Sequence, residues 1–500
     1  MSAPTPDWHA AAEQLDLRRG LFIDGAFTDA ADGATFPTLD PASGRVLADV
    51  ALASEKDIDR AVASARAAAA TWRDTPPRAR GRVLLRLADL MEEHGDELQL
   101  TESLDIGKPI RYTGRVDLTQ ATTTMRFYGE AIDKLNSDVL PTGPDVVATS
   151  VREPVGVVGA ITPWNFPMMI GAWKIAPALV AGNAVVWKPA EQSPLTALRI
   201  AELALEAGLP EGVLNVIPGM GETAGRHLAS HMDVDAVAFT GSTEVGKKML
   251  VYAGQSNMKR VSAETGGKTP NIIFADAPDL DFARQAIGFS IFWNSGEMCV
   301  AGSRLLVQRS ILDEVVDGLA QVADDWQPGD PLDPATKAGP LVDQSQLDRV
   351  LEYVETARAE GAEVPIGGRR VRQDSGGYFV EPTVFTSVDN SMRVAQEEIF
   401  GPVLAVIPFD DEDDALRIAN DTIYGLSASL WTSNLARAHR FARAVRAGTV
   451  WINNFDQADL TAPFGGFKQS GFGGKDKSLQ AIDKYVNWKT TWINLGKGGS

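Results

Sequence analysis

The pattern of apolar and polar positions changes near residue 155 of this 500-residue chain. Before that point, alanine-rich and amphipathic stretches predict helices over 57–72 and 78–94, after a short strand with a turn over 21–27. Residues 1–18 are predicted to form a loose arm that becomes helical. From 155 onwards, short runs that are apolar at every position alternate with helical stretches, which is typical of strands buried on both faces of a sheet.

The alternation predicts two α/β segments in succession. The strands are expected at 155–161, 184–187, 213–217, 235–239, 271–274, 304–307, 403–407 and 448–453. One helix is expected to begin after a cap at Ser193, with Pro194 in its first turn. Other helices are expected at 168–180, 221–231, 312–325, 346–361 and 414–420. This rhythm predicts a parallel, doubly wound sheet whose ligands bind at the carboxyl edge of the strands. The tail over 478–495 is expected to be helical and then extended.

Length and composition restrict the class of protein. A chain of this length is expected to fold as about two or three domains. It has no apolar run long enough to span a bilayer and no secretory signal at its start, so we expect a cytoplasmic protein without a membrane anchor. The net charge of −19 argues against nucleic-acid binding. The single cysteine excludes an internal disulfide and a multi-cysteine zinc site.

That cysteine, Cys299, is the first candidate for chemistry. Small residues flank it, among them Gly296 and Gly302, so a substrate and backbone N–H groups could come close to the sulfur. A thiolate there would be a strong nucleophile. The alternative is a buried structural cysteine, which is the more frequent fate of a free thiol.

Polar residues follow several predicted strands and supply the other parts of a reaction. Asn165 carries an amide that could hydrogen-bond a developing oxyanion, and Glu264, beside two glycines, could activate a water. Lys188 and Glu191 could bind a ribose diol, and Glu191 would repel a 2′-phosphate. The helix that begins near Ser242 could bind a pyrophosphate through its N–H groups.

Three short motifs are set aside. In the glycine segment at 219–225, the third glycine comes one residue late for the dinucleotide-binding fingerprint. The run 241–247 is similar to a triphosphate-binding loop, but Lys248 stands where that loop needs Ser or Thr. His227 and His231 have zinc-ligand spacing, but Leu228 replaces the glutamate of the metalloprotease motif. We therefore predict no metal.

Taken together, the ordered segments resemble the aldehyde dehydrogenase superfamily over nearly the whole chain. The segments that carry the resemblance are 163–167, 188–191, 239–242, 264–268, 296–299, 398–402 and 463–466. Segments 256–260, 296–299 and 476–479 are most similar to the bacterial γ-glutamyl-γ-aminobutyraldehyde and 4-guanidinobutyraldehyde dehydrogenases. Thr265, Glu297 and the residues 473–475 depart from the usual pattern, and Glu297 is placed to tune the thiol.

The resemblance implies an α/β fold with three parts. A Rossmann-like NAD-binding domain is expected over 1–132 and 155–266, and a catalytic domain over 267–467. A small bridging and oligomerisation element over 133–154 and 478–500 is expected to form dimers or a homotetramer.

The resemblance also implies the residues of the site. The expected catalytic residues are Cys299, Glu264, Asn165 and Lys174. The expected NAD-binding residues are Ile161, Thr162, Trp164, Lys188, Glu191, Gly221, Phe239, Gly241, Ser242, Val245, Glu398 and Phe400. The expected residues of the aldehyde tunnel are Asp117, Gln120, Met169, Trp173, Asp459 and Phe464. The Asn165 amide and the backbone N–H of Cys299 are implied to hold the oxyanion.

The substrate is expected to be an ω-amino or guanidino aldehyde, because Asp117 and Asp459 would lie near the tunnel mouth and Trp173 could offer its ring to a cation. Betaine aldehyde, a semialdehyde or a general aliphatic aldehyde stay open. A cysteine hydrolase, a non-catalytic relative and a CoA-acylating dehydrogenase are the other classes. They are less favoured, because no histidine lies in the motif segments and both Cys299 and Glu264 are present.

Overall fold

Eight strands form the largest sheet of the computed structural model, which describes residues 6–496. Their order is Gly471–Phe472, Arg260–Glu264, Ala236–Thr240, Val157–Ile161, Ala184–Lys188, Leu214–Val216, Leu21–Ile23 and Ala26–Thr28. The strands from Arg260–Glu264 to Leu214–Val216 run parallel, and antiparallel pairs close both edges. The predicted parallel sheet is therefore confirmed.

Alternate residues of these strands pack into two different cores, one on each face of the sheet. Val158 and Val185 belong to one core, and Val157 and Val186 belong to the other. The strands are apolar throughout because both faces are covered by helices. The longer helices of this part of the chain are Glu55–Asp74, Pro77–Glu93, Gly95–Ile106, Thr119–Ala131, Pro167–Val180, Leu195–Glu206 and Thr243–Gln255.

A second sheet of seven strands follows in the chain. Its order is Glu363–Ile366, Thr383–Thr386, Val403–Phe409, Arg304–Gln308, Pro270–Ile273, Ser427–Trp431 and Thr449–Ile452. The helices of this segment are Leu280–Phe292, Leu312–Asp325, Gln344–Ala359, Glu412–Asn420 and Leu435–Ala444. The first two strands and Ser427–Trp431 were not predicted. Most residues of Thr383–Thr386 and all of Ser427–Trp431 are buried, whereas Glu363–Ile366 is only partly covered.

A third sheet joins the end of the chain to its middle. Val486–Asn494 pairs along its whole length with Val146–Pro154, which pairs in turn with Asp138–Leu140. A separate hairpin consists of Thr35–Leu39 and Val46–Ala51. The single-turn and irregular helices are Trp8–Ala12, Ile110–Tyr112, Thr113–Leu118, Ile132–Lys134, Gly221–Gly225, Arg226–Ser230, Trp293–Gly296, Arg309–Ile311, Gln373–Ser375, Arg393–Gln396, Lys468–Ser470 and Leu479–Tyr485.

Some local predictions are corrected. The expected cap at Ser193 is wrong, because the helix begins at Leu195 after Pro194 and the Ser193 hydroxyl makes no hydrogen bond within residues 6–496. The predicted strand over 21–27 is a hairpin of two strands. In the predicted arm, residues 1–5 lie outside the described part of the chain, as do residues 497–500 of the predicted oligomerisation element. Among the described helices, none has the length and apolarity needed to cross a membrane.

Candidate active site

The loop that carries Cys299 has an unusual backbone. After the helix Leu280–Phe292, the residues Asn294, Ser295 and Gly296 all adopt left-handed φ values, 49°, 54° and 74°. A Cβ on Gly296 would lie 2.1 Å from Gly401 O, so only glycine fits this close approach. The loop leaves Cys299 half-buried, and no hydrogen bond within residues 6–496 uses its N–H.

Asn165 lies beside this loop. It follows the strand Val157–Ile161 and is buried. Its Nδ2 donates to Glu297 O at 2.8 Å, so the amide is tied to the chain two residues before Cys299. A carboxamide has two N–H donors, and the second forms no hydrogen bond in the part of the chain described. Two N–H groups near the thiol are therefore free to bind an oxyanion.

Glu264 ends its strand against a glycine-rich turn. Its Oε2 accepts from Gly466 N at 3.1 Å, and a Cβ on Gly465 would lie 2.3 Å from its Oε1. Lys475 holds the turn, because its Nζ donates to Gly465 O at 2.6 Å and to Gly466 O at 3.2 Å. Burial and the nearby charge of Asp476 raise the pKa of Glu264 to about 8.

Lys174 does not act as an isolated cation. Its Nζ lies 2.7 Å from Asp476 Oδ2, and Lys484 contacts the other oxygen of the same carboxylate. Burial opposes ionisation of Asp476, but the two ammonium groups outweigh it and lower its pKa to about 2. The predicted catalytic lysine is thus linked to Glu264 through Asp476 and the turn at 465–466, a connection that the sequence did not reveal.

The surroundings of Cys299 keep its thiol protonated. Burial, followed by the carboxylates of Glu398, Glu264 and Asp456, raises the pKa of Cys299 to about 12. A thiol in this environment becomes nucleophilic only when a base removes its proton or a positive charge arrives. Glu264 is one of these carboxylates, and in its ionised form it is the candidate base for a water molecule.

The carboxyl ends of the parallel strands bring the predicted cofactor residues to one edge. Ile161 is level with both Lys188 and Phe239, and Thr240 is level with Glu264. This is the edge at which parallel sheets of this type bind nucleotides.

The groups at this edge fit a dinucleotide. Lys188 Nζ lies 2.8 Å from Glu191 Oε2, so a cation and an anion stand together for ribose hydroxyls. Beyond Gly221 there is open space, since a Cβ there would meet only Glu191 Oε1 at 3.9 Å. Ser242 caps the next helix through Val245 N at 3.2 Å, beside Gly241.

Further residues connect this edge to the thiol. Trp164 and Phe400 meet edge to face, with ring centres 5.2 Å apart. Glu398 Oε1 accepts from Gly267 N at 2.9 Å, and Thr162 Oγ1 accepts from the Trp187 indole at 2.9 Å.

Aromatic side chains line the approach to Cys299 from the other side. The rings of Trp173 and Phe464 lie 5.6 Å apart, and Met169 belongs to the same apolar cluster. Phe464 and Cys299 both pack against a second cluster that contains Val300 and Leu426. A lysine that the sequence analysis did not single out lies against them. Lys477 Nζ is 4.5 Å from the Trp173 ring centre and 5.2 Å from that of Phe464.

Comparison with known proteins decides the family. The model of the aldehyde dehydrogenase family matches residues 27–491. The chain belongs to the aldehyde dehydrogenase family. It is therefore an oxidoreductase that uses a nicotinamide dinucleotide, and the prediction of this class over a cysteine hydrolase is confirmed.

Three relatives show how similar the chain is to known members. It is 49% identical to the NADP/NAD-dependent aldehyde dehydrogenase PuuC of Escherichia coli (strain K12), over 98% of both chains. The crystal structure of γ-glutamyl-γ-aminobutyraldehyde dehydrogenase from Burkholderia cenocepacia J2315 matches with a TM-score of 0.96 and 53% identity, over 98% of this chain and 99% of that one. The P. syringae indole-3-acetaldehyde dehydrogenase AldA, in complex with NAD+ and IAA, gives the same values. The predicted resemblance is confirmed.

The dehydrogenase departs from the prediction at two of the expected tunnel residues. Asp117 is fully buried and pairs with Lys108 at 2.7 Å, so it does not reach the tunnel mouth. Asp459 is exposed, but its carboxylate accepts from both the N–H and the hydroxyl of Thr461. Gln120 is half-buried. The half-buried acid near the thiol is instead Asp456, whose pKa is raised by burial to about 6.

The histidine pair of this dehydrogenase lies far along the chain from Cys299 and has an acidic neighbour. Asp59 Oδ1 is 2.7 Å from His227 Nε2 and 3.3 Å from His231 Nε2. The N–H of Asp233 donates to His231 Nδ1 at 3.0 Å, so the neutral ring carries its proton on Nε2 and donates it to Asp59. Hydrogen bonds account for this cluster, and the absence of a metal stays a prediction.

Proposed function

We propose that the dehydrogenase oxidises an aldehyde to a carboxylic acid through a covalent adduct on Cys299. The Cys299 thiol gives its proton to water, the sulfur forms a bond to the aldehyde carbon, and the carbonyl π bond breaks so that its oxygen becomes an oxyanion bound by the Asn165 amide and the Cys299 N–H. Bound NAD+ accepts the hydride, which leaves a thioester. Water then adds its hydroxyl to the acyl carbon, the C–S bond breaks, and the water proton passes to Glu264.

One observation carries this proposal, namely that the hydrogen bond from Asn165 Nδ2 to Glu297 O ties an amide with an unused N–H to the loop of the single thiol, whose own N–H is also unused. The turn at 465–466 holds Glu264 close to them, and Lys174 supports the turn through Asp476. Glu264 also favours hydrolysis of the thioester over its transfer to coenzyme A.

Two substitutions test the order of steps. Cys299→Ala should abolish turnover. Glu264→Gln should release one burst of NADH, measured at 340 nm, and then stall because the thioester persists. Normal steady-state turnover by Glu264→Gln would show that another base hydrolyses the thioester.

In the unaltered enzyme, the rate after the burst should rise as the pH approaches and passes about 8, because only ionised Glu264 can accept the proton.

NAD is proposed as the preferred cofactor. The Glu191 carboxylate, which Lys188 holds in place, would face the 2′ position of the ribose, and a 2′-phosphate there would meet a like charge.

The kcat/KM for NAD should exceed that for NADP by at least about tenfold, which corresponds to about 1.4 kcal/mol. Glu191→Gln, which removes the charge at nearly constant size, should reduce this ratio. Equal kcat/KM for the two cofactors in the unaltered enzyme would contradict the assignment.

The three sheets support the proposed division into a cofactor domain, a catalytic domain and an oligomerisation element. The third sheet is the element proposed to join subunits, because its strand Val486–Asn494 exposes Trp488, Trp492 and Ile493. Exposed apolar groups gathered on one element are typical of an interface.

Trp492→Glu should therefore lower the molar mass measured by light scattering after gel filtration. Leu435→Glu provides the control, since Leu435 is 73% exposed on a helix of the second sheet and should leave the mass unchanged. An unaltered mass for Trp492→Glu would exclude this face as the interface.

We propose an ω-amino or guanidino aldehyde as the substrate. The name of the Burkholderia relative supports a substrate of this class, and Asp456 supplies a half-buried acid near Cys299. Lys477 favours a second candidate, an aldehyde with a distal carboxylate. Its buried ammonium lies over the ring of Trp173 and makes no hydrogen bond within residues 6–496, so it could bind an anion.

A panel of butyraldehyde, 4-aminobutyraldehyde and succinic semialdehyde separates the candidates. Asp456→Asn should lower kcat/KM for the aminoaldehyde by at least about tenfold and barely change that for butyraldehyde. Asp459→Asn is the matched control, because its carboxylate is engaged by Thr461. If the carboxylate aldehyde is instead the best substrate and Lys477→Met abolishes that preference, the second candidate replaces the first.

A further inference from the structure

Lys108 is a buried lysine that the proposed mechanism does not use. The helix Gly95–Ile106 ends at Gly107, whose φ is 72° and whose N–H donates to Ser103 O at 2.9 Å. Glycine is required here, since a Cβ would lie 2.5 Å from Pro340. The turn directs the Lys108 side chain into the interior, where it is 0% exposed.

The ammonium of Lys108 contacts the segment that carries the oxyanion donor. Its Nζ donates to Asp117 Oδ1 at 2.7 Å and to Asn165 O at 3.0 Å. It also lies 3.7 Å from the centre of the Phe166 ring, whose face attracts a cation. The donors of the ammonium are thus directed at two consecutive residues of this segment and at one counter-ion.

A second buried group holds the same segment. Glu102 Oε1 accepts from Met168 N at 3.3 Å, and Glu102 is buried completely. Taking charged groups out of water is costly, and a buried ion pair contributes little net stability compared with apolar residues. A buried ion pair at one end of residues 165–168 and a buried carboxyl group at the other are better explained by the position they impose on the chain.

The side chain of Asn165 is held from the opposite direction. Its Nδ2 is bound to Glu297 O, and Asn294 Nδ2 donates to the same oxygen at 3.2 Å. The backbone oxygen is held by Lys108 and the amide by the cysteine loop, so the free N–H of Asn165 is restricted to one direction. An oxyanion donor needs this kind of preorganisation, since a small displacement weakens its interaction with the transition state.

We propose that Lys108, paired with Asp117, is a positioning residue that acts through Asn165 to fix the oxyanion donor. The inference rests on the proposed function, because it assigns Lys108 to the same oxyanion. It also gives Asp117 a role that differs from the predicted contact with substrate.

A double-mutant cycle tests whether Lys108 acts through Asn165. Lys108→Met should slow the burst of NADH by about tenfold or more, while the KM for NAD stays within about twofold. In an Asn165→Ala background, the same substitution should slow the burst no further than about twofold, because the donor that Lys108 positions is already absent. A lysine that only supports the fold would slow both backgrounds by the same factor, and that result would overturn the inference.

The cycle also separates this inference from the proposed function. An Asn165→Ala burst at the unaltered rate would overturn the oxyanion assignment and the role of Lys108 with it. If Asn165→Ala slows the burst, but Lys108→Met slows it by the same factor with and without Asn165, the role of Lys108 alone would be overturned.

Two further variants control for stability. Lys108→Met leaves the Asp117 carboxylate unpaired in the interior, so the cycle is repeated with Lys108→Met/Asp117→Asn, which removes both charges and should give the same kinetic pattern. Lys259→Met removes another buried lysine. Its Nζ donates to Ala229 O and to Ser256 Oγ, each at 2.8 Å, and contacts no residue of the proposed site within residues 6–496. It should lower the melting temperature and keep the burst rate, and an equal loss of rate would contradict a specific role for Lys108.

Discussion

The buried carboxylate of Asp476 is the contact on which the geometry of the site depends. It bridges Lys174, on a helix beside the first sheet, and Lys484, near the end of the chain, and its backbone pairs with Phe464. Removing one partner of a buried ion pair typically costs about 3–5 kcal/mol, because the other charge stays unpaired. This contact, together with the pairing of Gly471–Phe472 with the strand that ends at Glu264, fixes the C-terminal segment beside Glu264 and Phe464.

The same burial that fixes the site also suppresses its charges. Burial raises the pKa of Cys299, Glu264 and Glu398 to about 12, 8 and 7, and each carboxylate that ionises makes the thiol harder to deprotonate. Near neutral pH the site is therefore poorer in negative charge than its sequence indicates. A positive charge close to the thiol would stabilise the thiolate and lower the pKa of Cys299.

The sequence predicted the parts of the structure that depend on local pattern. The apolar strands and the helix Leu312–Asp325 follow from periodicity, and the neighbourhood of Cys299 and Asn165 follows from the resemblance. The strand Ser427–Trp431 was missed because its two serines dilute the apolar pattern, and both are buried. Lys477 was missed because the direction of its side chain depends on a left-handed φ of 58°. A lysine rarely adopts this φ, so its sequence position does not predict it.

Asp117 shows most clearly why the rest could not be predicted. It belongs to a π-helical segment, Thr113–Leu118, in which hydrogen bonds run from i to i+5 and a turn holds an extra residue. Side chains in such a turn are displaced from the directions that α-helical spacing predicts. The displacement brings Asp117 inward to Lys108 and away from the tunnel. The irregular turn thus places the Asp117 carboxylate against the Lys108 ammonium, which is completely buried and needs a counter-ion.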